Sequence, residues 1–169
     1  MLVYDDNGAE PALDAAEMLA RRGTTVELVT PERMLAPDVG SMNSPAYLRA
    51  FEEHGVTVTL ARRLIGVHRA EGGGLVALLG SDYSDRTVER AVDHVVVEHG
   101  TLPNDELYLD LVPHSRNGGA VDHAALLAVR PQPSNGPGEG FQLFRIGDAV
   151  SSRNIHAAVY DALRLCSAI

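Results

Sequence analysis

The sequence predicts an α/β fold: a parallel sheet interrupted by an antiparallel meander. Three observations carry that expectation. Short apolar runs alternate with stretches of helical periodicity through the first 60 residues. Turn-rich "EGGG" and "SDYSD" then separate three short strand-like runs. Near the end, an apolar run feeds a Gly-Asp pair ahead of an amphipathic stretch. Strand–helix–strand order makes the helices crossovers between parallel strands. Short turns between consecutive runs suit antiparallel neighbours.

The first strand is the apolar run at Leu2, and it enters a tight polar turn, Asp5-Asp6-Asn7-Gly8-Ala9-Glu10. Pro11 takes the first helical position, Leu13, Ala16, Leu19 and Ala20 follow at helical spacing, and Gly23 closes the helix. This is the first βα unit of a Rossmann-like half, where G-x-G-x-x-G normally sits. Here the turn has one glycine and three carboxylates. Glycines let a backbone approach a pyrophosphate, whereas Asp5, Asp6 and Glu10 set like charge beside one. The fold is expected to survive in this turn, and NAD(P)H binding is placed in doubt. The simpler reading of Asn7-Gly8 is a plain turn, with acidic residues complementing the helix dipole.

"TTVELVT" (residues 24–30) alternates as a strand, and "PERMLAPDVGSMN" is a loop. "SPAYLRAFEEHG" is a helix expected to be capped by Ser44 and ended by Gly55. "VTVTL" supplies the third strand. "LIGVHRA", "GLVALLG" and "RTVERAV" form the meander, and "VDHVVVEHG" (residues 92–100) reads as a buried strand. Beyond it, "PNDELYLDL" suits a short helix, residues 129–142 a Pro/Gly-rich loop, and "FQLFRIGDA" an apolar strand. The last segment is a helix with Ile155, Ala158, Val159, Ala162, Leu163 and Cys166 on one stripe. Composition shifts near residue 100.

Of the 169 residues 45% are hydrophobic, enough for a packed core, and the net charge of −9 disfavours nucleic acid and anionic membranes as partners. No apolar run approaches 18 residues and no signal-peptide pattern appears, so a soluble, cytoplasmic chain is expected. The lone Cys166 excludes an internal disulfide, and a buried, inert thiol is expected there. No C-x-x-C, H-x-x-x-H or G-x-S-x-G grouping offers a metal or a nucleophile, so no catalytic residue is assigned.

"RIGDA" (residues 145–149) is the strongest local signal. A strand ending in Gly147-Asp148-Ala149 ahead of a helix puts a carboxylate and free N–H groups at one sheet edge. Such a carboxylate accepts from sugar-like hydroxyls, while the helix start faces a phosphate. Asp148 as a mere helix cap is the competing reading. Arg153, Asn154 and His156 open the helix beside it and face the same ligand in the functional reading, and form an ordinary helix start in the other.

Three stretches then resemble one family: "LVYDD…LDAAEMLARRGTTVELVTP", "VDHVVVEHGTLPNDELYLDL" and "FRIGDAVSSRNIHAAVYDALRL". In order and spacing they are similar to the C-terminal region of the trimethylamine dehydrogenase and 2,4-dienoyl-CoA reductase branch of the old yellow enzyme (NADH:flavin oxidoreductase) family. The resemblance implies two glutathione-reductase-type nucleotide-binding parts. Residues 1–100 match an NAD(P)-type domain with a degraded phosphate loop, and residues 101–169 match the C-terminal part of an FAD- or ADP-binding domain. It assigns Gly147, Asp148, Ala149, Arg153, Asn154, Ile155 and His156 to that nucleotide. Full members also carry an FMN-binding barrel and an iron–sulfur cluster, which this sequence lacks along with the first G-x-G-x-x-G strand. The chain is thus expected to be an excised domain or a truncated frame whose partners are the barrel and the rest of the FAD domain. Alone it is expected to be inactive and to self-associate through the unpaired C-terminal strand. The rival reading is a non-catalytic Rossmann-like protein-interaction module.

Overall fold

The computed structural model describes residues 1–133 and 140–167. The chain divides into two compact units, Met1–Gly100 and Thr101–Ile169.

The first unit is the expected α/β layering. Strands β1 (Leu2–Asp5), β2 (Glu27–Val29), β3 (Thr57–Thr59) and β7 (Val95–Glu98) form a wholly parallel sheet in the order β3-β2-β1-β7. Strands β4 (Arg63–Arg69), β5 (Leu75–Ser81) and β6 (Ser84–Val92) form the antiparallel meander. Helices α1 (Glu10–Arg21) and α2 (Ser44–His54) bury Leu13, Ala16 and Phe51 with Val3 and Leu28. On the other side Leu2, Tyr4 and Val29 pack with Ala77 and Leu79 of β5. Alternation along a strand sends Val3 one way and Leu2 and Tyr4 the other. All four residues of β1 are buried, and its sequence is apolar from Leu2 to Tyr4 before it ends at the buried Asp5.

Helix ends follow the sequence in most places. Gly23 (φ +84°) lies just beyond α1 and donates its N–H to Ala20 O, and Gly55 (φ +69°) ends α2. Ser44 differs from expectation. It is the first residue of α2 rather than its cap, and its hydroxyl donates back to Gly40 O at 3.2 Å. β7 differs too. It is half-buried with Val97 exposed rather than a buried strand, because it pairs with β1 on one side only.

The second unit is helical: α3 (Glu106–Leu111), α4 (His123–Leu127), α5 (Ile155–Cys166) and short 3₁₀ turns at Val112–His114 and Gly147–Ala149. The five-residue α4 escapes a periodicity argument. Its signal is Asp122, which accepts from Ala125 N at 2.9 Å. Part of the expected loop at residues 129–142 (residues 134–139) lies outside the described residues. The expected strand at residues 141–146 is not one. Arg116 N donates to Phe141 O and Leu143 N donates to Asn117 Oδ1, so side chains and turns take the bonds a neighbouring strand would.

The expected stripe of α5 divides. Ala158 and Ala162 are half-buried and Leu165 is buried, but Ile155, Val159 and Leu163 are 80%, 62% and 62% exposed. Cys166 is exposed rather than buried. Among the described residues of this unit there is no sheet for the stripe to face. No described helix is long and apolar enough to cross a membrane.

Candidate functional site

In the first unit the phosphate-loop position is filled from within. Asp5 is fully buried, and its Oδ1 accepts from Asn7 N (3.1 Å) and Gly8 N (2.8 Å). Backbone N–H groups at this turn are the donors a phosphate needs, and these two are taken by a carboxylate of the same chain. The loop after β2 covers the turn. Asp38 N donates to Gly8 O at 3.0 Å, and a Cβ on Gly8 would lie 3.0 Å from Pro37 Cδ. Asn7-Gly8 therefore make the turn, with Gly8 at φ +77°. Its glycine admits Pro37.

Beside this turn, His99 Nδ1 lies 3.1 Å from Asp6 Oδ2, and its ring meets Tyr4 edge-on at 5.8 Å. Burial pushes the Tyr4 hydroxyl's pKa above its usual value, and the nearby Asp6 carboxylate adds to the shift. Among the described residues no cluster of three His, Cys, Asp or Glu side chains is arranged to hold a metal.

In the second unit the turn at Gly147–Ala149 is clamped from two sides. Gly147 has φ +58°, and its N–H donates to Asp161 Oδ2 at 3.3 Å. Arg153 Nη2 donates to the same oxygen. From the other side, Arg145 Nη1 donates to Ala149 O (3.4 Å) and to Asp105 Oδ2 (2.6 Å), and its guanidinium sits 4.8 Å above the Tyr108 ring. Tyr108 is itself held by donating its hydroxyl to Gly119 O at 2.8 Å.

Of the sequence-derived residues, Gly147, Asp148 and Ala149 form one turn, and Asp148 is exposed. Asn154, not Asp148, caps α5, accepting from Ala157 N at 2.9 Å. The cap reading of Asp148 fails on that bond. Arg153 is committed to Asp161, and Ile155 and His156 are exposed. Sequence reasoning missed Asp161, Asp105 and Tyr108. The available signal was Asp161, a carboxylate on the side of α5 that carries Ala157, Ala158 and Leu165. The neighbouring cavity, about 210 Å³ and lined by Val121, Leu126, Arg145, Ile146 and Asp161 among others, is smaller than cavities that enclose whole ligands. The Asp148 carboxylate is exposed on the turn.

No family profile matches the chain. Individual relatives do. It is 50% identical over 166 residues to the probable N-methylproline demethylase of Rhizobium meliloti, covering 98% of this chain and 24% of that protein. It is 43% identical over 171 residues to the N,N-dimethylglycine/sarcosine dehydrogenase of Chromohalobacter salexigens, covering 98% and 24%. The chain thus spans about a quarter of the length of the curated relatives it matches. Among solved structures, the 6-hydroxypseudooxynicotine amine oxidase of Pseudomonas geniculata matches with a TM-score of 0.69 at 23% identity, over 95% of this chain and 20% of that one. Histamine dehydrogenase from Rhizobium sp. 4-9 matches with a TM-score of 0.65 at 22% identity, over 96% and 22%. These likenesses show the fold. Nearly the whole chain is thus similar to one part of longer demethylases and dehydrogenases, in agreement with the resemblance to the trimethylamine dehydrogenase and 2,4-dienoyl-CoA reductase branch of the old yellow enzyme family.

Proposed function

We propose that this chain is the nucleotide-domain portion of a larger flavin-dependent oxidoreductase that removes N-methyl groups from amino-acid-like amines. The carrying observation is the 50% identity, over 98% of the chain, to a protein named as an N-methylproline demethylase. The dimethylglycine/sarcosine dehydrogenase shares the same substrate chemistry by name. In this reading residues 101–169 are the C-terminal part of a domain that holds FAD or ADP. Asp148 accepts from a ribityl or ribose hydroxyl, and Gly147 and Ala149 shape the turn beneath it. The flavin supplies the electron acceptor; this chain's residues bind and orient the nucleotide. Residues 1–100 form an NAD(P)-type domain that acts as a scaffold without a nucleotide, since Asp5 and Pro37 occupy the phosphate position. The FMN barrel, the iron–sulfur cluster and the rest of the FAD domain lie outside this chain, and the protein works in the cytoplasm.

The test is ligand binding by the purified chain, which should be colourless and inactive toward sarcosine. ADP should bind in the millimolar range and lose about tenfold with Asp148→Ala, one charge-assisted bond. NADH should show no saturable binding. A yellow preparation would overturn the expectation that the chain alone retains no flavin, and NADH affinity in the micromolar range overturns the scaffold reading of residues 1–100. The exposed apolar face of α5 also favours a second reading, a nucleotide-free interaction module, which gains if ADP leaves the chain unchanged.

A further inference from the structure

We propose that Asp161 is the positioning residue for the Gly147–Ala149 turn, and that it draws Arg153 into the scaffold instead of leaving it for a ligand phosphate. The inference rests on the reading of this turn as nucleotide-facing.

The geometry begins with two small residues. Gly147 lies so close to α5 that a Cβ on it would sit 3.1 Å from Ala158 Cβ and 3.5 Å from Ala158 Cα. That approach brings the Gly147 N–H to the Asp161 carboxylate, three residues further along the same helix face. Arg153 precedes the helix cap, while Asp161 lies about 10 Å along the axis from it, at 1.5 Å per residue. The arginine must fold back along α5 to reach Oδ2, and it does. One carboxylate oxygen therefore takes a backbone N–H of the turn and the guanidinium that follows it.

Two consequences separate this arrangement from a bare helix start. The direction of the Asp148 side chain depends on a residue thirteen positions away, since Asp161 fixes the left-handed Gly147 that precedes it. The positive charge of Arg153 is neutralised inside the unit. What the turn offers outward is a carboxylate, which recognises hydroxyl donors. The turn thus addresses the neutral polyol or sugar portion of a nucleotide.

The experiment compares Asp161→Ala, Asp161→Asn and Arg153→Ala in the chain as it stands. Two readouts are used: amide exchange at residues 147–149 without ligand, and titration with ADP. Asp161→Ala should speed exchange at Gly147 by about tenfold or more and weaken ADP by a similar factor. Asp161→Asn keeps an acceptor for Gly147 N and should restore both to within about threefold of the parent. Arg153→Ala should weaken ADP by less than about threefold, because its charge does not face the ligand. Tighter ADP binding in Asp161→Ala would mean that the turn does not need Asp161 to present its nucleotide-facing shape, and would overturn the proposal. Unchanged exchange at Gly147 would also overturn it. If Asp148→Ala leaves ADP binding unaltered, the nucleotide reading of the turn fails, while the exchange data still decide whether Asp161 positions it.

Discussion

At the scale of single residues, the first turn uses its glycine for the chain's own packing. A dinucleotide turn needs glycine so that a phosphate can approach, whereas Gly8 is needed because the chain's own Pro37 does. The two demands leave the same residue in the sequence. The lack of neighbouring glycines was legible; the occupant was not, since Pro37 is 29 positions away in an irregular loop. Gly23 provides the control. It too has positive φ (+84°), but nothing lies within 4 Å of its would-be Cβ. Gly23→Ala should cost about 1 kcal/mol, the strain of a left-handed L-residue. Gly8→Ala should cost about 1–2 kcal/mol more, for displacing Pro37. Denaturant unfolding of the two variants checks the difference, and equal losses would show that Pro37 yields freely.

Between elements, α1 and α2 are joined by polar as well as apolar contact. The Tyr47 hydroxyl donates to Asp14 Oδ1 at 2.6 Å, and that bond, with burial and the Asp14 charge adding, pushes the tyrosine pKa up to about 12. Because the folded pKa is raised above the ordinary 10, the contribution is fully present below pH 10. It is lost as pH rises through about 12. Tyr47→Phe should therefore lower stability by about 1 kcal/mol at neutral pH, the group being partly solvated. The gap between parent and variant should narrow above pH 10, as read from denaturant midpoints; a gap independent of pH would argue against the bond. The helices themselves were legible from Pro11, Gly23 and Gly55, because caps and breakers are local. What α5 and residues 141–146 pack against was not legible from periodicity. An apolar stripe states that a face seeks burial, and says nothing of whether its partner lies in the same unit.

For the whole molecule, the two units differ in how completely they use their apolar surface. The first encloses its sheet on both faces. The second leaves Ile155, Val159, Tyr160 and Leu163 of α5 exposed, with Leu127 and Val129 exposed as well. As part of the proposed reading, the isolated chain should self-associate through this segment, with sedimentation showing species heavier than the monomer at high concentration. Leu163→Glu should return it to a monomer without changing its helix content. A monomeric parent would remove the idea. The sheet of the first unit carries a different implication, for the order in which the protein is made. Its central strand β1 leaves the ribosome before the other strands of this sheet, yet it is flanked by β2 and by β7, whose partner register runs Leu2 to Val95 and Asp5 to Glu98. One edge of β1 therefore stays unpaired until about 90 further residues have been synthesised. At roughly 5–20 residues per second, that is an interval of about 5–20 s in which a buried, apolar strand has no lasting partner. During translation, this strand is where a chaperone would have most to protect.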